Sequence, residues 1–318
     1  MQGSTTSERV NYGMTQNSAP NPKTIRPQNL KTLSIFVFLA AIWGASFLFM
    51  RLSSPEFGAV PTAFVRVFIA AMALMVVSVI LKKPPIERAR LPWSLGIGIL
   101  NSAVPFALFS YATLSLPAGY TAVLNATVPF WGLAIGAVFF KQNVTAMKLA
   151  ALCVAVLGLA MMLGLSALPM TASVLLAAGA CLLATFCYGW SGHFALLKLK
   201  GIDAFAQARG AMMGATLALA PFAAAQWPAQ MPSSGAWAAL AALGLVCSAL
   251  AYILYFWIIH HAGLNLGLSV TLLIPVFGIA WGMLFLGEGL TLPSALGALI
   301  ALMGTSVVIG LWVPFGKS

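Results

Sequence analysis

The chain has 318 residues, of which 61% are hydrophobic and 7% charged, with a net charge of +11 and a mean hydropathy of +0.98. Soluble globular domains carry about 45–50% apolar and about 25% charged residues, so this composition excludes them and points to a polytopic membrane protein. The basic residues are spread between apolar runs rather than gathered in an aromatic-interleaved patch, which excludes nucleic acid as the expected partner and fits a lipid bilayer.

Residues 1–31 are polar and rich in Asn, Ser, Thr, Gln and Pro. They lack the apolar run of about 7–15 residues that a signal peptide needs, and they read as a disordered cytoplasmic tail. A helix requires about 20 apolar residues to cross the hydrocarbon. Ten such runs follow, at 32–50, 61–81, 92–114, 117–139, 145–163, 172–197, 204–225, 236–259, 265–286 and 291–313. They are long and continuous rather than alternating, which predicts helices and not barrel strands. The expected fold class is an all-α polytopic membrane protein with ten transmembrane helices.

The basic residues fix an orientation. Arg9, Lys23, Arg26 and Lys31 precede the first run, and Lys82, Lys83, Arg88 and Arg90 follow the second. Lys141 and Lys148 follow the fourth, Lys198 and Lys200 the sixth, and Lys317 the tenth, whereas the loops at 115–117, 164–171 and 226–235 contain no Lys or Arg. Arg51 is the main exception. This asymmetry predicts both termini in the cytoplasm and an even number of spans. Trp93, Trp227, Trp237 and Trp312 sit near run ends, as interfacial anchors do. The sequon Asn143-Val-Thr145 falls on the cytoplasmic side, where it would not be glycosylated. Cys153, Cys181, Cys187 and Cys247 all lie inside apolar runs without a CxxC, so packing is expected of them, not a disulfide framework or a metal site.

An internal repeat is legible. "NATVPFWGLAIGAVFFKQNVT" from Asn125 matches "TLLIPVFGIAWGMLFLGEGLT" from Thr271 at a shift of 146 residues, placing Pro129 on Pro275, Gly132 on Gly278 and Gly136 on Gly282. Thr145 then answers Thr291, and Gly158 answers Gly304; at slightly different shifts, Trp43-Gly44 answers Tyr188-Gly189 and Arg66 answers Arg209. The halves are residues 32–166 with helices 1–5 and residues 167–318 with helices 6–10. An odd number of spans per half inserts the second upside down relative to the first. Such inverted repeats are the architecture of many secondary transporters, with substrate bound near the midplane.

The motifs "AIWGASFLFMRL", "PTAFVRVFIAAM", "SALAYILYFWIIHHAG" and "LLIPVFGIAWGMLFLGEGLT", in that order, resemble the drug/metabolite transporter superfamily in its ten-helix EamA-domain branch. The resemblance covers about residues 32–313. It implies a cytoplasmic-membrane permease that exports or exchanges small metabolites, often amino acids, through a central cavity lined mainly by spans 1, 3, 4, 6, 8 and 9. Two departures stand out: Lys141-Gln142 replaces the Gly-Glu pair that commonly ends span 4, and span 8 ends in His260-His261.

Candidate cavity residues are the polar and aromatic side chains of those spans: Trp43, Asn101, Tyr111, Tyr120, Asn125, Tyr188, Trp190, His193, Tyr252, Tyr255, Asn265 and Thr271. A few polar groups among aromatics suit a small zwitterionic or amphipathic solute. Arg66 and Arg209 have two readings, a structural anchor or brace and a substrate or gating cation for an anion. His193 is either a hydrogen-bonded packing residue or a proton-coupling group. Gly132-xxx-Gly136 and Gly278-xxx-Gly282 are small-residue pairs for close helix packing, and Pro129 and Pro275 are expected to kink their helices and free a carbonyl. Glu288 reads as a helix-end residue, because its counterpart is Gln142. The chain has no Walker A motif, so nucleotide-driven transport is not expected, and no cofactor or metal is implied. A multidrug or organic-cation exporter is the runner-up, weakened because no carboxylate lies mid-span. An integral-membrane enzyme would need clustered His or carboxylates at one interface.

Overall fold

The computed structural model describes residues 30–141, 144–164, 169–262 and 270–308, and every regular element among them is helical. The expected tail, Gln142, Asn265 and Trp312 lie outside the described residues. Helix α1 (Leu30–Phe57) runs to Gly58, whose φ of 81° only glycine adopts readily, and α2 (Ala59–Ile80) begins directly after it. A continuous rod follows: α3 (Leu91–Gly98), a π turn π1 (Ile99–Ala103) and α4 (Val104–Ala112). Pro105 explains the wide turn, since it cannot donate to the carbonyl four residues back; the Val104 N–H reaches Ile99 O instead.

Next come α5 (Ala118–Asn125), α6 (Val128–Phe140), α7 (Ala146–Gly164), α8 (Ala172–Lys198) and α9 (Ala204–Ala225). A second rod comprises α10 (Ser234–Gly244), π2 (Leu245–Leu250) and α11 (Ala251–Ala262). A 3₁₀ turn (Val270–Leu272), α12 (Ile274–Leu286) and α13 (Leu292–Val308) complete the described chain. Thr171, Asp203 and Ser233 cap α8, α9 and α10, each side chain accepting from the N–H three residues on.

Among the described residues, six helical runs are long and apolar enough to cross a membrane: Leu30–Phe57, Ala59–Ile80, Leu91–Ala112, Ala118–Phe140, Ala172–Lys198 and Ser234–Tyr255. Ala146–Met162, Val270–Leu286 and Leu292–Val307 are shorter apolar helices. Helix α9 has the length, but Gln207 and Arg209 dilute it. Among the described residues, six of the ten predicted runs therefore meet both requirements. This is an all-helical, multi-pass membrane protein.

The prolines act differently from the expected kinks. Pro129 and Pro275 sit in the first turn of α6 and α12, where a missing N–H costs nothing. The chain breaks just before each. At Ala126–Thr127 the N–H groups bond Val123 and Leu124 carbonyls three residues back. The elements are thus broken helices restarted by proline.

The 146-residue spacing recurs in the backbone. It separates Ile99 from Leu245 at the start of the two π turns, and α6 from α12 at both ends. It also separates Lys141 (φ 51°) from Gly287 (φ 64°), the left-handed residues that end those helices. Packing follows the same rule. A Cβ on Gly44 would come within 2.9 Å of Gly278 N, and one on Gly189 within 2.9 Å of Gly132 N. Likewise Gly98 lies against Ala211 of α9, and Gly244 against Ile69 and the Arg66 carbonyl of α2. In each case a glycine of one half meets backbone or branched side chain of the other, which suits a bilayer where close contact must supply what the hydrophobic effect cannot. The apolar interior forms two large clusters, one around α1, α5, α8, α10 and α12, the other around α2, α4 and α9.

Candidate functional site

A polar cluster lies on the seam between these two clusters, where the π turns face α2 and α8. Arg66 of α2 is 5% exposed, so it does not snorkel to the surface. Its Nε donates to Ser248 Oγ of π2 at 2.9 Å, and its Nη1 contacts Met50 Sδ at 3.8 Å. The guanidinium lies 3.7 Å from the centre of the Phe106 ring. Ser248 in turn donates to Leu243 O, five residues back, at 2.9 Å; the wide π turn leaves this carbonyl reachable. On the facing side, Ser191 of α8 donates to Asn101 Oδ1 of π1 at 3.1 Å and to Tyr188 O at 3.0 Å. Tyr252 of α11 meets the Asn101 side chain. Tyr188 stacks on Phe109, ring centres 6.1 Å apart, and packs against both apolar clusters.

Both π turns thus supply the site with side chains. Extra residues in such turns re-aim side chains, and they recur at functional sites. One cation, two phenols, an amide and two hydroxyls converge inside an aromatic wall. The arrangement contains no nucleophile–base pair. Among the described residues no group of three or more His, Cys, Asp or Glu could hold a metal.

Of the residues expected from sequence, Arg66, Asn101, Tyr188 and Tyr252 come together here. Trp43 and Tyr255 pair with each other, centres 5.3 Å apart. Tyr120 is buried in the larger cluster, Asn125 ends α5 at the break, and Thr271 lies in the 3₁₀ turn. Trp190 packs among Phe139, Phe186 and Phe194. His193 Nε2 lies 2.9 Å from Gly132 O and stacks on Phe140. Tyr111 is 40% exposed. Arg209 binds the Ser78 hydroxyl and donates to Pro84 O at 3.1 Å, a brace between α9 and the end of α2. Gly136 and Gly282 are buried, and their carbonyls accept from the residues ending α6 and α12. Sequence reasoning missed Ser248, Ser191, Met50 and Phe106. Ser248 carried a signal, since it lies 146 residues beyond Ser102.

A second constellation sits at the far ends of these helices. Glu288, after α12, accepts from the Ala118 N–H that opens α5 at 2.8 and 2.9 Å and lies 3.9 Å from Arg51. Arg51 also donates to Thr113 O at the end of the first rod. Glu288 is therefore a helix-end residue that ties four elements together.

The EamA-like transporter family matches this chain twice, over residues 31–164 and 175–310. The chain belongs to the EamA-like transporter family. An uncharacterized transporter of Bacillus subtilis (strain 168), YoaV, is 24% identical over 283 residues, spanning 86% of this EamA-like chain and 95% of the relative. A crystal structure of a protein with 15% identity superposes with a TM-score of 0.59, covering 87% of this chain and 96% of that one, a likeness of fold.

Proposed function

We propose that this membrane transporter is a secondary carrier of small organic metabolites, amino acids among the candidates, that works by alternating access as an exporter or exchanger in the cytoplasmic membrane. In this reading ten helices form two inverted five-helix repeats, 32–166 and 167–318, with both termini cytoplasmic. The observation that carries it is the central polar cluster, contributed by two π turns at equivalent positions 146 residues apart. A site shared by two inverted halves can open to either face when the halves exchange conformations. The basic residues support the orientation: Arg90 donates to Lys200 O, and Lys198 lies over Trp93, so these residues share one end of the bundle.

The test is uptake into proteoliposomes of amino acids, organic acids and lipophilic cations under varied pH gradients. Saturable flux of an organic metabolite above empty liposomes is the expected result. Accumulation of lipophilic cations alone would instead establish the drug-exporter reading, and no flux of any class would remove transport. Proton coupling would run through His193, wedged between Phe140 and the Gly132 carbonyl. His193→Ala should then flatten the pH dependence; an unchanged profile removes that role.

A further inference from the structure

Among the described residues the charge of Arg66 has no counter-ion. The chain contains five acidic residues, and four are committed elsewhere. Glu56 accepts from Ser233, Glu87 pairs with Arg90, Asp203 caps α9, and Glu288 holds Ala118 and Arg51. The fifth, Glu8, belongs to the polar segment outside the described residues. Three other arginines behave differently. Arg51, Arg90 and Arg209 each donate to a backbone carbonyl. Among the described residues Arg66 donates to neither a carbonyl nor a carboxylate. Its partners are a hydroxyl, a thioether and a ring face, all weak beside a charged acceptor.

A structural brace in the hydrocarbon would be selected for strong, permanent acceptors, because a buried unpaired cation is expensive. Arg66 keeps replaceable ones. The guanidinium is planar and offers a fork of donors that matches a carboxylate in two parallel hydrogen bonds. Ser248 holds Nε and so orients that fork, while the Met50 thioether and the Phe106 ring are soft neighbours that can yield to a ligand.

We infer that Arg66 binds the anionic head of the transported solute, and that the solute class is small organic monocarboxylates with an apolar body. The neighbouring Phe106, Phe109 and Tyr188 supply the apolar wall. No acidic side chain among the described residues faces the cluster to receive an ammonium group, which disfavours amines and gives a carboxylate without an α-ammonium the better charge match. This inference rests on the transport reading for flux but not for binding, so the two can fail separately.

The experiment uses the full chain, in detergent for binding and in proteoliposomes for flux. The probes share one body and differ in charge: phenylacetate, phenylacetamide, phenylalanine and phenethylamine. A second series of propionate, propionamide, alanine and propylamine covers a smaller body. In the wild type the carboxylates should bind at least tenfold more tightly than their amides and amines, read by thermal unfolding against ligand concentration. Arg66→Gln should weaken carboxylate binding by roughly ten- to a hundredfold, the scale of a lost charged hydrogen bond, and Arg66→Lys by less because it keeps the charge without the fork. The wild-type comparison needs no variant to fold. Carboxylates that bind no better than amides in both series overturn the inference, as does an Arg66→Gln protein that folds and binds them unchanged. Flux of amides or amines without carboxylates overturns it while leaving transport standing. Arg66-dependent carboxylate binding without flux supports it and sinks transport.

Discussion

Arg66 and Arg209 occupy the corresponding helix of each half, yet they meet different surroundings. Arg66 turns inward, and its Nε finds Ser248 in π2. The counterpart partner for Arg209 would be Ser102 in π1, at the 146-residue spacing. Arg209 instead turns toward the end of α2, binding Ser78 and Pro84 O. The two halves therefore share a backbone plan but not a charge plan. Repetition in this chain conserves where helices break, widen and touch. The placement of charge inside that frame is what distinguishes the Arg66 half from the Arg209 half.

The sharpest way to break this comparison is to neutralise each arginine in turn. Arg66→Gln should reduce flux more than tenfold with little loss of assembled protein. Arg209→Gln should leave flux within about threefold and lower thermal stability by roughly 1–2 kcal/mol, since it leaves a Ser hydroxyl and a carbonyl without their donor. Equal loss of flux in both variants would mean that the arginines do the same job.

The next effect concerns the glycines at the crossings between halves. A Cβ at Gly44 would lie 2.6 Å from Phe277 Cβ, and one at Gly189 2.9 Å from Trp131 Cβ. Gly44→Ala and Gly189→Ala should each destabilise by roughly 1–3 kcal/mol through overpacking. Gly192→Ala, whose Cβ would meet nothing within 4 Å, should be tolerated. Thermal unfolding in detergent reads the difference. The smallest effect is at the helix ends. Lys141 holds the left-handed conformation that Gly287 supplies in the other half, so Lys141→Gly should stabilise by about 1 kcal/mol. Gly287→Lys should cost a similar amount.

Much of this frame was legible in the sequence. The apolar runs gave the helices to within a few residues at most ends, and Pro129 and Pro275 revealed the repeat. Helix α1 runs past the expected end at residue 50 to Phe57, because hydropathy falls at Arg51 whereas the breaker is Gly58. The prolines suggest kinks because apolarity is continuous across Ala126–Thr127; hydropathy does not register a broken hydrogen-bond ladder. The π turns were invisible for the same reason, and with them the convergence of Asn101 and Ser248. The partners of Arg66 come from three other elements, α1, α4 and π2. No local pattern could have separated its role from that of Arg209.

The most direct test of two halves alternating around this cluster uses Cys247, which is buried in π2 next to Ser248. With Cys153, Cys181 and Cys187 replaced by alanine, a membrane-impermeant thiol reagent is applied to each face of oriented vesicles. The account predicts labelling from both faces, with transported solute protecting against each. Labelling from one face only, or from neither under conditions of measured flux, would contradict it.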